Sequence, residues 1–311
     1  MKGKKIAIGI TAAVMLTGSA LVFATDAAKA VAPKPDNVKK PLGKLTCKLM
    51  KKWLFLFMLS VSFFILQPTT IQAAVLLNDH FIGTRASSVN WHIPTWVSPT
   101  DGTFIGRTQL RCTQNSSLPA ASSSNALITV QTYNPTGFSF YGTDLISNKS
   151  FPLGKGIAVT VRAKMNATMR GVVGGIFLYE LKPGSRTLHD EIDFELLTNV
   201  PNSVQTNIYN SEPLGAGHPK FIPYASGTIN TYHTYQLQWL PNRVSWFIDG
   251  KLVRTSTTNV PKGPMHLHLN AWVPGAEWAK AYNSLLQPTT SSRANRVFPM
   301  AVDLVTVSSL P

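Results

Sequence analysis

Residues 75–311 consist of short segments in which apolar and polar residues alternate or β-branched residues dominate, with Gly, Pro, Asn and Ser between them. No segment keeps the period of an amphipathic helix, so the pattern predicts about a dozen strands and no helices. The Asp249-Gly250 pair between two apolar runs indicates a tight hairpin. This organisation is typical of an all-β sandwich of two antiparallel sheets. The clearest predicted strands are 125–133, 156–165, 172–180, 190–197, 204–210, 232–240, 243–257, 265–273 and 298–308.

One of these strands, 190–197, carries three carboxylates spaced two residues apart. Successive side chains of a strand point to opposite faces, so Glu191, Asp193 and Glu195 should share one face. The apolar residues between them should share the other face and enter the core. A row of three like charges is costly, and we therefore expect it to have a function.

The spacing of the two glutamates suits a glycosidase. Residues four apart on a strand have Cα atoms about 13 Å apart. If both side chains lean inward, the carboxyl groups of Glu191 and Glu195 come to about 5–6 Å, close to the separation that retaining glycosidases need. Asp193 between them would help to keep one glutamate protonated and could orient the other. The spacing does not say which glutamate has which role, and an acidic edge strand or a calcium site stays open as an alternative.

Neighbouring predicted strands also have one apolar face and one face of aromatic, amide and imidazole side chains. Aromatic rings flanked by amides suit sugars, which stack through C–H faces and hydrogen-bond through hydroxyls. The alternative for the two histidines, a metal pair, lacks a third ligand at recognisable spacing. The predicted sugar-facing residues are Phe177, Tyr179, Gln205, Asn207, Tyr209, His266, His268, Asn270 and Trp272.

The net charge of +15 is concentrated at the N-terminus. Residues 1–73 contain 11 Lys and Arg against 2 Asp, and the remaining chain contains 18 basic against 12 acidic residues. Most of the excess is therefore leader sequence, which argues against a nucleic-acid partner. The two cysteines, Cys47 and Cys112, would not both remain in a processed chain, so no disulfide is expected.

The leader resembles two successive secretory signals. Residues 1–49 contain a lysine-flanked apolar run and a Pro-containing linker, and residues 50–74 contain a shorter, cleaner signal starting at Met50. We expect 1–49 to be an extension, 50–74 a signal peptide and 75–311 the catalytic domain. The protein should be secreted and monomeric, with membrane contact only through an uncleaved leader.

At Glu-Ile-Asp-Phe-Glu the chain resembles glycoside hydrolase family 16, in the E-x-D-x-E form shared by lichenases and xyloglucan endotransglycosylase/hydrolases. His189 resembles the xyloglucan group, whereas lichenases typically have Trp there. The segment 204–207, the motifs around Trp239 and Asp249, and Leu269-Asn270-Ala271-Trp272 also fit the family.

The resemblance implies a β-jelly-roll with a concave cleft and endo-acting, retaining cleavage of a polysaccharide without a catalytic cofactor. It makes Glu191 the nucleophile, Asp193 the assisting residue and Glu195 the acid/base. It also places Asn207, Asn270 and Trp272 in subsites, makes His189 a substrate-contact candidate, and matches Asp303 to a structural calcium ligand.

The first hypothesis is an endo-β-glucanase acting on β-1,3/1,4-glucan. Xyloglucan and a sulfated galactan are alternatives within the same chemistry, and a non-catalytic glycan-binding sandwich is the alternative from another class. The presence of all three carboxylates favours the enzyme. Because the chain ends soon after its last predicted strand, without the Cys-rich extension of the plant transglycosylases, we expect hydrolysis rather than transglycosylation.

Overall fold

The computed structural model describes residues 73–94, 104–110, 118–166 and 168–311. These residues form strands joined by turns and loops, with one 3-10 turn, Ser292–Ala294, as the sole helical element in the described ranges. The strands in chain order are β1 Val75–Asp79, β2 Trp91–His92, β3 Phe104–Ile105, β4 Thr108–Leu110, β5 Ala121–Ser122, β6 Asn125–Gln131, β7 Phe140–Phe151, β8 Ile157–Met165, β9 Val173–Leu181, β10 His189–Leu197, β11 Ser203–Glu212, β12 Lys220–Pro223, β13 His233–Leu240, β14 Arg243–Ile248, β15 Lys251–Ser256, β16 Met265–Trp272 and β17 Val297–Ser309.

The strands are arranged in two antiparallel layers. In the first, which we call the site sheet, the order is β12-β11-β10-β9-β16-β7-β2. In the second, the backing sheet, β15-β14-β13-β8-β17 lie side by side, and β1 and β6 pair with the remaining edge of β17. The pairing of β4 with β7 is parallel. The predicted all-β sandwich is confirmed.

The core lies between the inner faces of the two sheets. Phe194 of β10 is fully buried and its ring lies 5.2 Å from that of Tyr235 on β13. The indole of Trp246 on β14 is also fully buried and donates a hydrogen bond to the backbone oxygen of Asp193, at 3.0 Å. Burial of each such large apolar side chain stabilises the folded state by about 1.5–3 kcal/mol. The backing sheet thus holds β10 by packing and by a hydrogen bond.

All nine clearest predicted strands coincide with observed strands, and 243–257 divides at the predicted hairpin. Asp249 and Gly250 have φ angles of 50° and 77°, the positive values that a type I′ turn requires. The sequence patterns did not identify the short strands β1 to β5 and β12 or the long strand β7. The burial pattern of β7 has runs of consecutive buried residues, because parts of this strand are covered on both faces and alternation is lost.

The proposed leader, 1–49 and nearly all of 50–74, lies outside the described residues, so its boundaries stay predictions. The described residues belong to the unit Thr69–Pro311. No helix among them is long and apolar enough to cross a membrane.

Candidate active site

The register of β9, β10 and β11 arranges the acidic residues in rows across one surface of the site sheet, which we call the site face. Glu191 lies opposite Tyr179 on β9 and Tyr209 on β11. Strand β16 extends these rows beyond β9. Read from β11 to β16, the three rows are Tyr209–Glu191–Tyr179–His266, Asn207–Asp193–Phe177–His268 and Gln205–Glu195–Gly175–Asn270. In the next row, beyond Glu195, Trp272 on β16 lies opposite Val173 on β9. The structure therefore brings every predicted sugar-facing residue onto the face that carries the three carboxylates.

Glu195 is held by an amide on the neighbouring strand. The side-chain nitrogen of Gln205 donates to Oε2 of Glu195 at 2.7 Å. Burial and the charge of Glu191 together raise the pKa of Glu195 to about 8, against the opposing effect of the Gln205 hydrogen bond. This environment favours the protonated form of Glu195 at neutral pH, the form that can donate a proton.

Asp193 is the most enclosed of the three carboxyl groups, with 1% of its surface exposed. Neither carboxyl oxygen has a hydrogen-bond partner within the described part of the chain. Burial raises its pKa well above the ordinary value, the charges of Glu195 and Glu191 add to the rise, and the Arg254 guanidinium opposes it. An unpaired buried charge is very costly, so this environment favours the protonated form of Asp193.

His189 is close to Glu191 and is itself 1% exposed. Its Nε2 lies 3.2 Å from Oε2 of Glu191, and its Nδ1 lies 3.1 Å from the backbone oxygen of Thr187. The rings of Tyr179 and Tyr209 flank the imidazole, with centroids 5.3 and 4.6 Å away. The nearest functional group to His189 is thus the Glu191 carboxylate, and its predicted contact with substrate stays a prediction.

The histidines of β16 have fixed orientations. His268 has Nδ1 at 3.0 and 3.2 Å from the two carboxyl oxygens of Asp144, and its ring stacks on Phe177 with centroids 4.9 Å apart. In His266, Nδ1 lies 2.8 Å from the backbone oxygen of Ser147. In both rings, Nδ1 faces an oxygen acceptor, and Nε2 of His266 lies 3.8 Å from Oε2 of Glu180. The sequence pattern did not identify Asp144, because this residue lies in β7, which the pattern did not predict.

The amide of Asn270 is tightly enclosed on the site face. Its oxygen is buried without a hydrogen-bond partner in the described residues. Gly175 lies opposite, and a Cβ at this glycine would lie 2.4 Å from that oxygen. A side chain at position 175 would therefore displace the amide. The unsatisfied oxygen can accept a hydrogen bond from a bound hydroxyl.

Beyond Glu195, the site face ends in an apolar cluster. Trp272 and Trp278 have ring centroids 5.7 Å apart, and both pack with Val173 and Leu197. The amine of Lys280 lies 4.6 Å from the centroid of the Phe221 ring, which joins the same cluster. Sequence patterns did not identify Trp278, Phe221 or Lys280, because two of them lie in a loop and Phe221 lies in the short missed strand β12.

A comparison with protein-family models matches residues 106–288, more than half of the chain, to glycosyl hydrolases family 16. The chain belongs to this family. The matched range contains the whole acidic strand, so family membership and the geometry of the site face concern the same residues.

Among relatives of this family 16 protein, a β-glucanase of Bacillus amyloliquefaciens is 37% identical over 118 residues, which are 37% of this chain and 48% of the relative. The alignment thus spans about half the length of that relative. The solved structure of the Bacillus licheniformis β-glucanase covers 78% of this chain and 100% of its own, with a TM-score of 0.57 and 23% identity. LamA of Zobellia galactanivorans, solved with laminaritriose and laminaritetraose, covers 76% and 99% with a TM-score of 0.58 and 16% identity. These two structures show that the fold is shared.

Asp303 lies on β17 of the backing sheet, away from the site face, and forms an ion pair with Arg162. Its Oδ1 has no hydrogen-bond partner among the described residues. No three His, Cys, Asp or Glu side chains in the described ranges converge as metal ligands. Because a guanidinium already neutralises the single carboxylate, these residues fit a Ca²⁺ site poorly. Calcium binding by this family 16 protein stays an untested prediction.

Proposed function

We propose that this family 16 protein is an endo-acting, retaining β-glucanase in which Glu191 is the nucleophile, Glu195 the acid/base and Asp193 the assisting residue. The observation that carries the proposal is that two glutamates lie on one face of one strand in different electrostatic surroundings. Burial and the Glu191 charge favour the protonated form of Glu195, and Glu191 lies on the same face, with its Oε2 3.2 Å from Nε2 of His189.

In the first half-reaction, a carboxyl oxygen of Glu191 attacks the anomeric carbon, and the bond from that carbon to the leaving sugar oxygen breaks. The leaving oxygen takes the proton of Glu195. In the second, ionised Glu195 takes a proton from water, whose oxygen attacks the anomeric carbon, and the electron pair of the ester bond returns to Glu191. Asp193, protonated between them, can donate a hydrogen bond to the nucleophile.

Azide rescue distinguishes the two glutamates. We expect Glu191→Gly to lose about 10³-fold or more in turnover and to recover with azide, giving an α-glycosyl azide. Glu195→Ala should instead give the β-glycosyl azide. Glu277→Gln, a change at an exposed carboxylate outside the acidic strand, is the matched control and should keep full activity. The α-product from the Glu195 variant would reverse the two roles.

We propose a mixed-linkage β-1,3/1,4-glucan as the substrate, because the acidic strand resembles that of lichenases and because relatives from Bacillus amyloliquefaciens and Bacillus licheniformis are named β-glucanases. The test is a panel of barley β-glucan, lichenan, laminarin, xyloglucan, agarose and carrageenan with analysis of product size. Release of short oligosaccharides from barley β-glucan and lichenan supports the assignment. Preferred cleavage of xyloglucan or of a sulfated galactan would replace it, and binding without cleavage would favour the glycan-binding alternative.

We also propose that the domain 75–311 is exported, and that it acts as a monomer without a catalytic cofactor. Expression of the full chain in a bacterial host should yield activity outside the cytoplasm and a mature N-terminus near residue 75, measured by mass spectrometry. An active, unprocessed protein retained in the cytoplasm would contradict export. Light scattering of the mature protein checks the monomer.

A further inference from the structure

The imidazole of His189 is enclosed by groups that all favour a positive charge. At one edge, Nδ1 faces the backbone oxygen of Thr187 at 3.1 Å. A carbonyl oxygen only accepts hydrogen bonds, so Nδ1 must carry a proton. At the other edge, Nε2 is buried and lies 3.2 Å from Oε2 of Glu191. This contact has the distance of an ion pair, although its alignment is poorer than that of a full hydrogen bond.

The aromatic rings beside the imidazole favour a positive charge on His189, as do the groups at its two nitrogens. Tyr209 and Tyr179 flank the imidazole, with centroids at 4.6 and 5.3 Å, and aromatic faces attract cations at this range. Burial raises the pKa of both tyrosines above the ordinary value, so both stay neutral. Neither ring therefore competes with Glu191 for the proton of His189.

The other charged groups around His189 are already paired. Asp190, the next residue, is bound by Lys182 and by the backbone N–H of Ser211. Glu212, opposite His189 on β11, contacts His218 at 3.2 Å. Burial lowers the pKa of His189, but the contact and charge of Glu191, with smaller contributions from Thr187 and Asp190, outweigh burial and raise it overall.

We propose that His189 is a positioning residue that stays protonated and holds Glu191 as a carboxylate, so that it stabilises the charge returning to Glu191 when the glycosyl-enzyme is hydrolysed. The kinetic part of this inference rests on the proposed function. The charge of Glu191 is present before the first step, is consumed when the ester forms, and reappears as the ester breaks. A fixed cation beside Glu191 favours the charged states over the ester, and thus makes Glu191 a better leaving group in the second half-reaction.

The pairing itself is tested without any activity measurement, by titrating the histidine ring nitrogens by NMR in the wild-type protein and in Glu191→Gln. We expect His189 to carry two protons at neutral pH in the wild type. In the variant, the contact and charge of Glu191 are removed while burial and the smaller contributions of Thr187 and Asp190 remain, so Nε2 should lose its proton and Nδ1 should keep its own. His92, exposed on β2 beside Asn148, is the internal control and should titrate identically in both proteins. An unchanged titration of His189 would overturn the pairing.

The kinetic part is tested with a dinitrophenyl β-glycoside of a short gluco-oligosaccharide, whose leaving group needs no proton. His189→Asn can still donate to the Thr187 oxygen but cannot reach Glu191, whereas His189→Gln can place a neutral donor near Glu191. In His189→Asn, we expect the rate of deglycosylation to fall about tenfold or more. Loss of one preorganised hydrogen-bond donor typically lowers kcat by about 10²–10³-fold. The initial burst should not become slower, because the cation favours the Glu191 carboxylate that the first step consumes, and the covalent adduct should accumulate in intact-mass spectra.

His189→Gln should fall between His189→Asn and the wild type, and His92→Asn should match the wild type. Equal slowing of the burst and of deglycosylation in His189→Asn would indicate general damage and overturn the proposed role. Release of the first product with the α configuration from this β-linked substrate by the wild type, measured by NMR, would overturn double displacement, and with it the kinetic part of the inference. The titration would still decide whether His189 and Glu191 are paired.

Discussion

Removing the hydrogen bond that Gln205 donates to Glu195 tests which groups set the pKa of Glu195. The distance of this bond, 2.7 Å, is that of a charge-assisted bond, which favours the carboxylate. Gln205→Met removes the donor while keeping the volume, so the pKa of Glu195 should rise above its value of about 8. A hydrogen bond to a charged group contributes about 1.5–3 kcal/mol, equivalent to about 1–2 pKa units. Because Glu195 is partly exposed, water replaces part of this bond and we expect about half that shift.

The assay is the pH dependence of kcat/KM on barley β-glucan from about pH 5 to about pH 10. In the proposed mechanism, Glu195 must be protonated in the free enzyme, so activity should fall as the pH rises through this pKa. Gln205→Met should therefore move the alkaline limb to higher pH. On a dinitrophenyl glycoside, which needs no acid, this limb should disappear, and any remaining alkaline limb reports another group such as His189.

Gln236→Met is the matched control, because Gln236 also lies in a strand, half-buried where Gln205 is buried, but hydrogen-bonds Thr160 in the backing sheet. Its pH profile should equal that of the wild type. A limb that moves to lower pH in Gln205→Met, or that moves equally in the control, would refute the assignment of the limb to Glu195.

Further changes test the supports of the site. Glu195→Gln should raise the melting temperature near pH 8 but not near pH 4, because a raised folded-state pKa makes ionisation destabilising between the unfolded and folded values; a pH-independent difference would contradict this. Gly175→Ala should raise KM several-fold and destabilise the fold by about 1–3 kcal/mol, because the new Cβ would displace Asn270; unchanged kinetics would show that the amide has room to move. Trp246→Phe should lower stability by about 1–3 kcal/mol, measured by urea unfolding, because it removes the hydrogen bond to Asp193. EDTA should leave the melting temperature unchanged if Arg162 replaces calcium at Asp303, and a large decrease would establish a metal site.

The alternation of side chains explains why the sequence predicted so much of the site sheet. Strands such as β10, β11 and β16 each have one face against the core and one face of polar or aromatic residues. The period of two therefore assigns each residue to a face, and antiparallel pairing places those faces together. Strand β7 is buried on both faces over part of its length, so its apolar and polar residues do not alternate. The pattern therefore identified neither this strand nor its residue Asp144.

The register between strands could not be derived from the pattern. Alternation predicts that Gln205 and Glu195 share a face, but it does not say that they lie directly opposite. Pairing offsets depend on turn lengths and bulges, such as the irregularity next to His189. The loop that contributes Trp278 and Lys280 has no periodicity, so at this end of the site face the sequence predicted Trp272 on β16 but neither of these loop residues.

The protonation states of the acidic strand were the least predictable property, and they change how its three carboxylates are understood. As three charges, the row would repel itself and destabilise the fold. In the structure, burial raises the pKa of Asp193 and of Glu195, so two members favour the neutral form. The third, Glu191, lies against His189, whose pKa is raised. With His189 protonated, as proposed above, the row would have one negative charge next to one positive charge, and most of the repulsion between its carboxylates would be removed.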